Sequence, residues 1–241
     1  MIFNNSQEPV LLSAKYLKFS LLKSKHSINL PAYFTRGGIS KFIPTSREYK
    51  INPTYEEVHD LLDRFFKAPY LSLDIETDMG ASYIKCIGFA DSPNFAGCIP
   101  LIEGGLPKWS KDQEIEIWKR LKELLTNGMT KIIIQNMMFE QTVLYPYVGE
   151  ITPVYMDTMI AHHCLLSELR KSLALQTSIY TREPYYKDDA KNEDYAPTAL
   201  YTYNCKDCAV TYEIFQTLDQ DLKDEGMWDY FHGYQMPLAN V

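Results

Sequence analysis

The sequence contains no apolar run that approaches the roughly 18 residues needed for a membrane-spanning helix. Its first ten residues, MIFNNSQEPV, lack the basic and then apolar profile of a secretory signal peptide. Cysteine is scarce, with five scattered residues in 241, an odd number in a chain too long to depend on disulfides. These absences argue against membrane proteins and disulfide-stapled secreted proteins, so we expect a cytoplasmic protein with reduced thiols and no membrane partner.

Internal repeats and low-complexity tracts are also missing, and the 46% hydrophobic and 23% charged content is that of an ordinary globular protein. The single C-x-x-C pair, Cys205 and Cys208, has no second Cys or His pair at zinc-binding spacing. We therefore expect one large domain, with or without an appendage, and neither zinc nor thiol redox chemistry.

Positive charge is concentrated at the amino end of the chain. Residues 1–50 contain eight Lys and Arg residues against two Glu, a net of +6, so the other 191 residues hold −13 of the total of −7. This asymmetry predicts a basic N-terminal extension over residues 1–52, followed by the main domain over 53–241. Such an extension either contacts a polyanion or an acidic protein surface, or merely keeps the chain soluble.

Hydrophobic periodicity predicts helices and strands in a definite order after the extension. Helices are predicted over 52–66, 112–128 and 138–145 and from Asp157 and Pro197 onward, and strands over 70–76, 83–91, 95–101, 131–136 and 154–156. The turn residues SPN between the second and third strands indicate an antiparallel meander. A meander followed by alternating helix and strand predicts an α/β fold, with a mixed sheet covered by helices.

The stretch YLSLDIETDMG places two carboxylates at the end of the first predicted strand. Asp74 and Glu76 are two residues apart and so point to the same face, where their like charges repel. Good solvation, protonation of one carboxylate or a cation between them would each relieve the repulsion. Hard divalent ions such as Mg²⁺ and Mn²⁺ take oxygen ligands of this kind, whereas a solvated strand end is the simpler alternative.

Two further segments carry polar residues at positions that matter jointly. Tyr203 and Asp207 are four residues apart on a predicted helix and therefore share one face. Gln135, Asn136 and Glu140 lie where a predicted strand passes into the next helix. Each pattern alone is weak, and their order along the chain is what makes them informative.

Taken in order, these segments resemble a known family. DIET, then N-x-x-F followed by a carboxylate, then Y-x-x-x-D resemble the three motifs of the DEDD superfamily of 3′→5′ exonucleases, in its tyrosine-containing, DnaQ-like branch. The resemblance is above all to the proofreading exonuclease domain of phage family A (DNA polymerase I-like) DNA polymerases. The segments MDTMIAHHCL and SLALQTSIYTREPYYKDD support it, and it extends from about Asn52 to the end of the chain.

The resemblance implies an RNase H-like fold, with a central mixed five-stranded sheet flanked by helices. It also implies phosphodiester hydrolysis with two divalent ions, Mg²⁺ or Mn²⁺. Asp74 would bridge both ions, and Glu76 and Asp207 would complete the first site. Glu140 would hold the second ion, largely through water, and Tyr203 would hydrogen-bond the attacking water.

The chain departs from the family pattern at one catalytic position. The second motif normally ends in Asp, and here the residue is Glu140. The additional methylene moves the carboxylate by about a bond length, whereas catalytic groups tolerate a misplacement of only about 0.5 Å. The rate and the choice between Mg²⁺ and Mn²⁺ are therefore open. Asp157 opens a helix, and we expect an N-cap there rather than a fifth ligand.

Residues beside the motifs are candidate contacts to a frayed single-stranded 3′ end, which is held by aromatic stacking and a few cations. These candidate substrate-binding residues are Thr77, Met79, Gln135, Asn136, Phe139, Arg182 and Lys187. Tyr185 and Tyr186 belong to the same aromatic and basic cluster as Arg182 and Lys187, and packing is the simpler role expected of these tyrosines.

The resulting hypothesis is a metal-dependent 3′→5′ exodeoxyribonuclease that releases nucleoside monophosphates from single-stranded or mispaired DNA 3′ ends, as a proofreader in phage-type replication. The expected partner is a family A DNA polymerase in the host cytoplasm, either covalently linked in a longer protein or present as a separate chain. Two alternatives stay open. One is an RNase D-like RNA exonuclease, and the other is a catalytically impaired scaffold that binds DNA or a polymerase.

Overall fold

The computed structural model describes residues 45–78, 80, 83–184, 186 and 197–239. Most of the predicted basic extension, residues 1–44, lies outside this part of the chain. The strands are β1 (Glu48–Lys50), β2 (Tyr70–Thr77), β3 (Ile84–Ser92), β4 (Phe95–Pro100), β5 (Ile102–Glu103), β6 (Leu106–Pro107), β7 (Lys131–Ile134) and β8 (Val154–Asp157).

The predicted helices are present in the predicted order, together with others that the sequence did not predict. They are α1 (Tyr55–Phe65), α2 (Lys111–Thr126), α3 (Met137–Val148), α4 (Thr158–Leu165), α5 (Leu173–Tyr180), α6 (Pro197–Asp224), α7 (Trp228–Tyr230), a π-helical turn (Phe231–Gln235) and α8 (Met236–Ala239). Local signals explain where the first two begin. Capping boxes open α1 at Thr54 and Glu57 and α2 at Ser110 and Gln113, so exposed backbone N–H groups at both starts have partners.

The central sheet is mixed, as predicted, and its strand order is β1-β4-β3-β2-β7-β8. Strands β2, β3 and β4 form the antiparallel meander, whereas β7 is parallel to β2 and β8 is parallel to β7. The sheet has six strands, so the expected number of five is wrong. The sixth strand, β1, pairs in parallel with β4 at one edge. It is only three residues long, too short for an alternating pattern to reveal.

Helix α5 was not predicted. Its start is well marked, because the Ser172 side chain accepts a hydrogen bond from the Leu175 N–H. Its buried face, however, includes Gln176 and Thr177 beside Leu173 and Tyr180. Polar residues on the buried face remove the apolar periodicity from which a helix is predicted.

The long helix α6 crosses the sheet and packs against β2, β3 and β4. Its apolar face is buried along most of its length, with Cys205, Cys208 and Ala209 fully covered. Gly88 on β3 permits this close approach, because a Cβ there would lie 2.1 Å from Asn204 Oδ1 and 2.8 Å from Cys208 Sγ. The pairing of helix and sheet brings residues 203–207 over the end of β2.

All five cysteines are free thiols, and four of them are buried in the core. Among the residues that the structure describes, no helix combines the length and the apolar character required to cross a membrane.

Candidate active site

Three carboxylates converge at the end of β2. Asp74 and Glu76 lie on that strand, paired with Gly88 and Cys86 of β3, and Asp207 reaches them from α6. One oxygen of each carboxylate lies within 4.8 Å of the others. Asp207, which is only 4% exposed, therefore adds a third negative charge to the repulsion expected between Asp74 and Glu76. We call Asp74, Glu76 and Asp207 the acidic cluster.

The position of Asp74 is set by a residue that the sequence did not single out. The fully buried Asn204 donates from Nδ2 to the Asp74 carbonyl oxygen at 3.1 Å and to Asp74 Oδ2 at 2.8 Å. Asn204 lies one turn before Asp207 on α6, so a single helix turn supplies one cluster residue and orients another. The only sequence signal was its place in the segment YNCKD.

Tyr203 lies beside the acidic cluster, near enough for all three carboxylates to act on its phenol. Burial raises the pKa of its phenol, and the negative charges of Asp207, Glu76 and Asp74 raise it further. The hydroxyl therefore keeps its proton at neutral pH. A protonated phenol at this place can both donate and accept a hydrogen bond.

Glu140 lies in the first turn of α3 and is only 4% exposed. Within the described part of the chain it does not join the three carboxylates that approach within 4.8 Å, but it is close enough for Glu76 to act on it. Burial raises the pKa of its carboxyl well above the ordinary range, and the charges of Asp157 and Glu76 raise it further. Its Oε2 atom is buried with no hydrogen-bond partner among the described residues.

Asp157 holds the junction from which Glu140 projects. Its Oδ1 accepts hydrogen bonds from the N–H groups of Asn136 at 3.1 Å and Met159 at 2.8 Å, and its Oδ2 accepts one from Met137 at 2.9 Å. The predicted N-cap of α4 is confirmed. The same carboxylate also caps the start of α3, which sequence reasoning did not anticipate.

Asn136 has a left-handed backbone, with φ 71° and ψ 58°, which is uncommon for a residue other than glycine. The hydrogen bonds that the N–H groups of Asn136 and Met137 donate to the Asp157 carboxylate hold it in this conformation. Strained residues of this kind cluster at functional sites. Asn136 and Phe139 are exposed at the start of α3, on the same element as Glu140.

The other described residues predicted to bind substrate differ in exposure and in hydrogen bonding. The Gln135 amide is occupied within the protein, because Nε2 donates to the Lys171 carbonyl at 2.9 Å and Oε1 accepts from Gln176 at 2.9 Å and from Thr158. Thr77 is half-buried at the end of β2, and Arg182 is exposed after α5.

Two predicted substrate residues, Met79 and Lys187, lie outside the described residues, as does Tyr185. Tyr186 is described and is buried, as packing would require. It does more than pack, because its hydroxyl donates to Asp207 Oδ1 at 2.5 Å.

The acidic cluster fits a hard divalent cation. Mg²⁺ and Ca²⁺ bind oxygen ligands at about 2.0–2.6 Å, so oxygens on opposite sides of one ion lie about 4–5 Å apart. The oxygens of Asp74, Glu76 and Asp207 meet this limit, and all three ligands are of the hard type. The buried Oε2 atom of Glu140, which has no hydrogen-bond partner among the described residues, is a further candidate ligand, near enough to Glu76 for that charge to act on it.

Comparison with known proteins agrees with this geometry. A family model described as 3′-5′ exonuclease matches residues 49–223. The chain belongs to this exonuclease family. The match contains every residue of the acidic cluster together with Glu140 and Tyr203. The exonuclease is thus an enzyme of the nuclease class, and its family implies the use of a divalent metal.

A curated relative of the exonuclease is DNA polymerase I of Borreliella burgdorferi, 29% identical over 203 residues. The match covers 80% of this chain and 22% of the polymerase, so the chain spans about a fifth of that relative's length.

Solved structures of similar fold include three nucleases. Escherichia coli RNase D has a TM-score of 0.56 at 14% identity, with 81% of this chain and 49% of that chain covered. The catalytic core of RRP6 from Trypanosoma brucei has a TM-score of 0.58 at 12% identity, covering 80% and 53%. Brucella melitensis NrnC with bound Mg²⁺ has a TM-score of 0.54 at 16% identity, covering 81% and 92%. These likenesses confirm the RNase H-like fold of the exonuclease.

Proposed function

We propose that the exonuclease is a divalent-metal-dependent exodeoxyribonuclease that removes nucleoside monophosphates from single-stranded or mispaired DNA 3′ ends. The observation that carries the proposal is the convergence of Asp74, Glu76 and Asp207 within 4.8 Å, with Tyr203 beside them. The relation to a DNA polymerase I supports DNA as the substrate.

Mg²⁺ or Mn²⁺ is proposed to bind at the acidic cluster, with a second ion toward Asp74 and Glu140. When bound, such a pair of ions supplies a water nucleophile at neutral pH and stabilises the leaving 3′ oxygen. The protein's own contribution is positioning. Asn204 orients Asp74, and the protonated hydroxyl of Tyr203 is placed to orient the attacking water by a hydrogen bond.

The start of α3 is proposed to receive the terminal nucleotides. Phe139 is 38% exposed there, and an exposed aromatic ring can stack on a base of any identity. Asn136, three residues earlier, is also exposed and has a left-handed backbone. Thr77, Met79, Gln135, Arg182 and Lys187 remain predicted substrate contacts. Stacking without base readout suits an enzyme that must remove whichever nucleotide is mispaired.

The biological role proposed is proofreading beside a family A DNA polymerase of phage type. The polymerase would be either a continuation of the same protein or a separate chain, within the host cytoplasm. The curated relative supports this, because the matching segment of that protein is part of a DNA polymerase I.

An RNA substrate is the second candidate, favoured by the structural likeness to RNase D, which is described as an exoribonuclease involved in structured RNA processing. Matched 5′-labelled DNA and RNA oligonucleotides, digested with Mg²⁺ or Mn²⁺, distinguish the two. A descending DNA ladder faster than the RNA ladder supports the proposal, and the reverse order favours the RNA enzyme.

The same assay with Asp74→Ala tests the third possibility, a catalytically impaired scaffold. Loss of the ladder in this variant establishes that the cleavage belongs to the acidic cluster. Absence of any ladder in the wild-type protein, with either metal and either substrate, would refute the enzyme proposal and leave binding as the function.

A further inference from the structure

Tyr186 contacts the acidic cluster although it lies outside the three motifs. Its side chain is 3% exposed, and its hydroxyl donates to Asp207 Oδ1 at 2.5 Å. Its ring lies edge-on to that of Tyr203, with 5.9 Å between centroids. We propose that Tyr186 is a positioning residue that orients Asp207 for metal binding. This inference rests on the proposed function.

Ion pairs hold a residue close to Tyr186 in the sequence. Glu183, three residues earlier, accepts a hydrogen bond from Arg47 Nε at 3.2 Å and pairs with Lys206 Nζ at 3.5 Å. The side chains of Arg47 and Glu183 are only 3% and 10% exposed, so this is a buried pair and not a solvated one. Breaking buried pairs is costly, and Glu183 is therefore held against Lys206 of α6.

Lys206 connects the ion pairs to the tyrosine. It directly precedes Asp207 on α6, and its ammonium lies 4.8 Å from the centre of the Tyr186 ring. Lys206 and Tyr203 thus both contact the Tyr186 ring. These two contacts fix the direction of the Tyr186 hydroxyl toward one oxygen of Asp207.

The hydrogen bond from the Tyr186 hydroxyl to Asp207 affects how the acidic cluster can bind a cation. A carboxylate has two oxygens with about four acceptor sites, so one oxygen can accept from Tyr186 while sites remain for an ion. A bond from a phenol restricts rotation of the carboxylate plane. Loss of such an outer partner of a metal ligand typically reduces metal affinity by about 10- to 100-fold.

The test compares Tyr186→Phe with the matched control Tyr201→Phe. Tyr201 is also a buried tyrosine and belongs to α6, but its hydroxyl donates to the Ile102 carbonyl at 3.1 Å, away from the cluster. Each substitution removes one hydroxyl and keeps the ring. Mn²⁺ binding is measured on the full chain by calorimetric titration, with thermal unfolding in EDTA as a check of folding.

We expect Tyr186→Phe to bind Mn²⁺ about 10- to 100-fold more weakly than wild type, and Tyr201→Phe to bind it normally. The metal concentration for half-maximal cleavage should rise in parallel, whereas the KM for oligonucleotide should stay the same. Glu183→Gln should weaken Mn²⁺ binding in the same direction, because it removes the ion pair that holds Lys206, which contacts the Tyr186 ring, without touching the cluster.

Mn²⁺ binding by Tyr186→Phe equal to or tighter than that of wild type would overturn the inference. In that case wild-type binding and cleavage persist, so the proposed function stands. A wild-type protein that neither binds Mn²⁺ nor cleaves would instead overturn the proposed function, and the inference with it.

Discussion

Replacing Gly88 by alanine tests how the active site depends on the contact between α6 and the sheet. The new Cβ would lie 2.1 Å from Asn204 Oδ1, 2.8 Å from Asn204 Cγ and 2.8 Å from Cys208 Sγ. Ordinary contacts are about 3.5–4.0 Å between carbon atoms, so either the Asn204 side chain or helix α6 must shift by about 1 Å. The two bonds from Asn204 to Asp74, now 2.8 and 3.1 Å, would then exceed the range of a hydrogen bond.

The expected effects follow from this displacement. Overpacking a core lowers the free energy of unfolding by about 1–3 kcal/mol. Replacing glycine by alanine also reduces the conformational entropy of the unfolded chain, which raises the free energy of unfolding by about 0.4–1 kcal/mol. We therefore expect a net destabilisation of about 1–2 kcal/mol by urea titration. A misplacement of about 1 Å in a catalytic group can cost about 100-fold in rate, so cleavage should fall by about that factor.

Gly97→Ala is the matched control, because it makes the same change on the neighbouring strand β4. There the Cβ would meet the Leu61 side chain at 2.9 and 3.1 Å, and these are ends of a flexible group. We expect Gly97→Ala to cleave at the wild-type rate. A Gly88→Ala protein with unchanged stability and unchanged rate would refute the account of how Asn204 and Asp74 are placed.

Three further changes test other parts of the site. Asp157→Ala removes the carboxylate that accepts hydrogen bonds from three backbone N–H groups and should lower the free energy of unfolding by about 2–4 kcal/mol in a urea titration. Asp157→Asn should cost less because one acceptor oxygen remains, and equal costs would contradict the double cap. Burial raises the pKa of Glu140, so this residue contributes stability that is lost as pH rises above the ordinary value of 4.5. In EDTA and above about pH 7, where His162 no longer offsets it, Glu140→Gln should lessen the loss of stability with rising pH, and an unchanged slope would assign it to other groups. Burial lowers the pKa of His162 to about 4, so this residue contributes stability above pH 6.5, at most about 3 kcal/mol, that is lost as pH falls toward 4. Thermal unfolding measured from pH 7 to 4 should show this loss in the wild type and a smaller loss in His162→Gln.

The motif residues were predictable because they depend on local spacing. The alternation of side chains along β2 places Asp74 and Glu76 on one face of the strand, and the helical repeat places Tyr203 and Asp207 on one face of α6. The N-cap role of Asp157 also follows from its place before a helix. Each of these inferences needs only the geometry of one element.

The residues that sequence reasoning missed act between elements. Asn204 reaches Asp74 across 130 positions of sequence, and Tyr186, which belongs to none of the described helices and strands, reaches Asp207 across 21 positions. The second cap made by Asp157 depends on the parallel pairing of β7 with β8, which brings the ends of two strands together. Strand β1 was missed because its identity as a strand depends on pairing with β4 and not on its own three residues.

Arg47 has a consequence for anyone who wishes to trim the chain. Besides Glu183, it pairs at 2.5 Å with Glu213, and Thr45 also donates to that carboxylate at 3.3 Å. A fragment that starts at residue 49, where the family match begins, would keep both glutamates but lose the guanidinium between them. Removing one partner of a buried pair costs about 3–5 kcal/mol, so such a fragment should express and fold poorly. A practical fragment for biochemistry therefore begins at or before residue 45, so that Thr45 and Arg47 are kept.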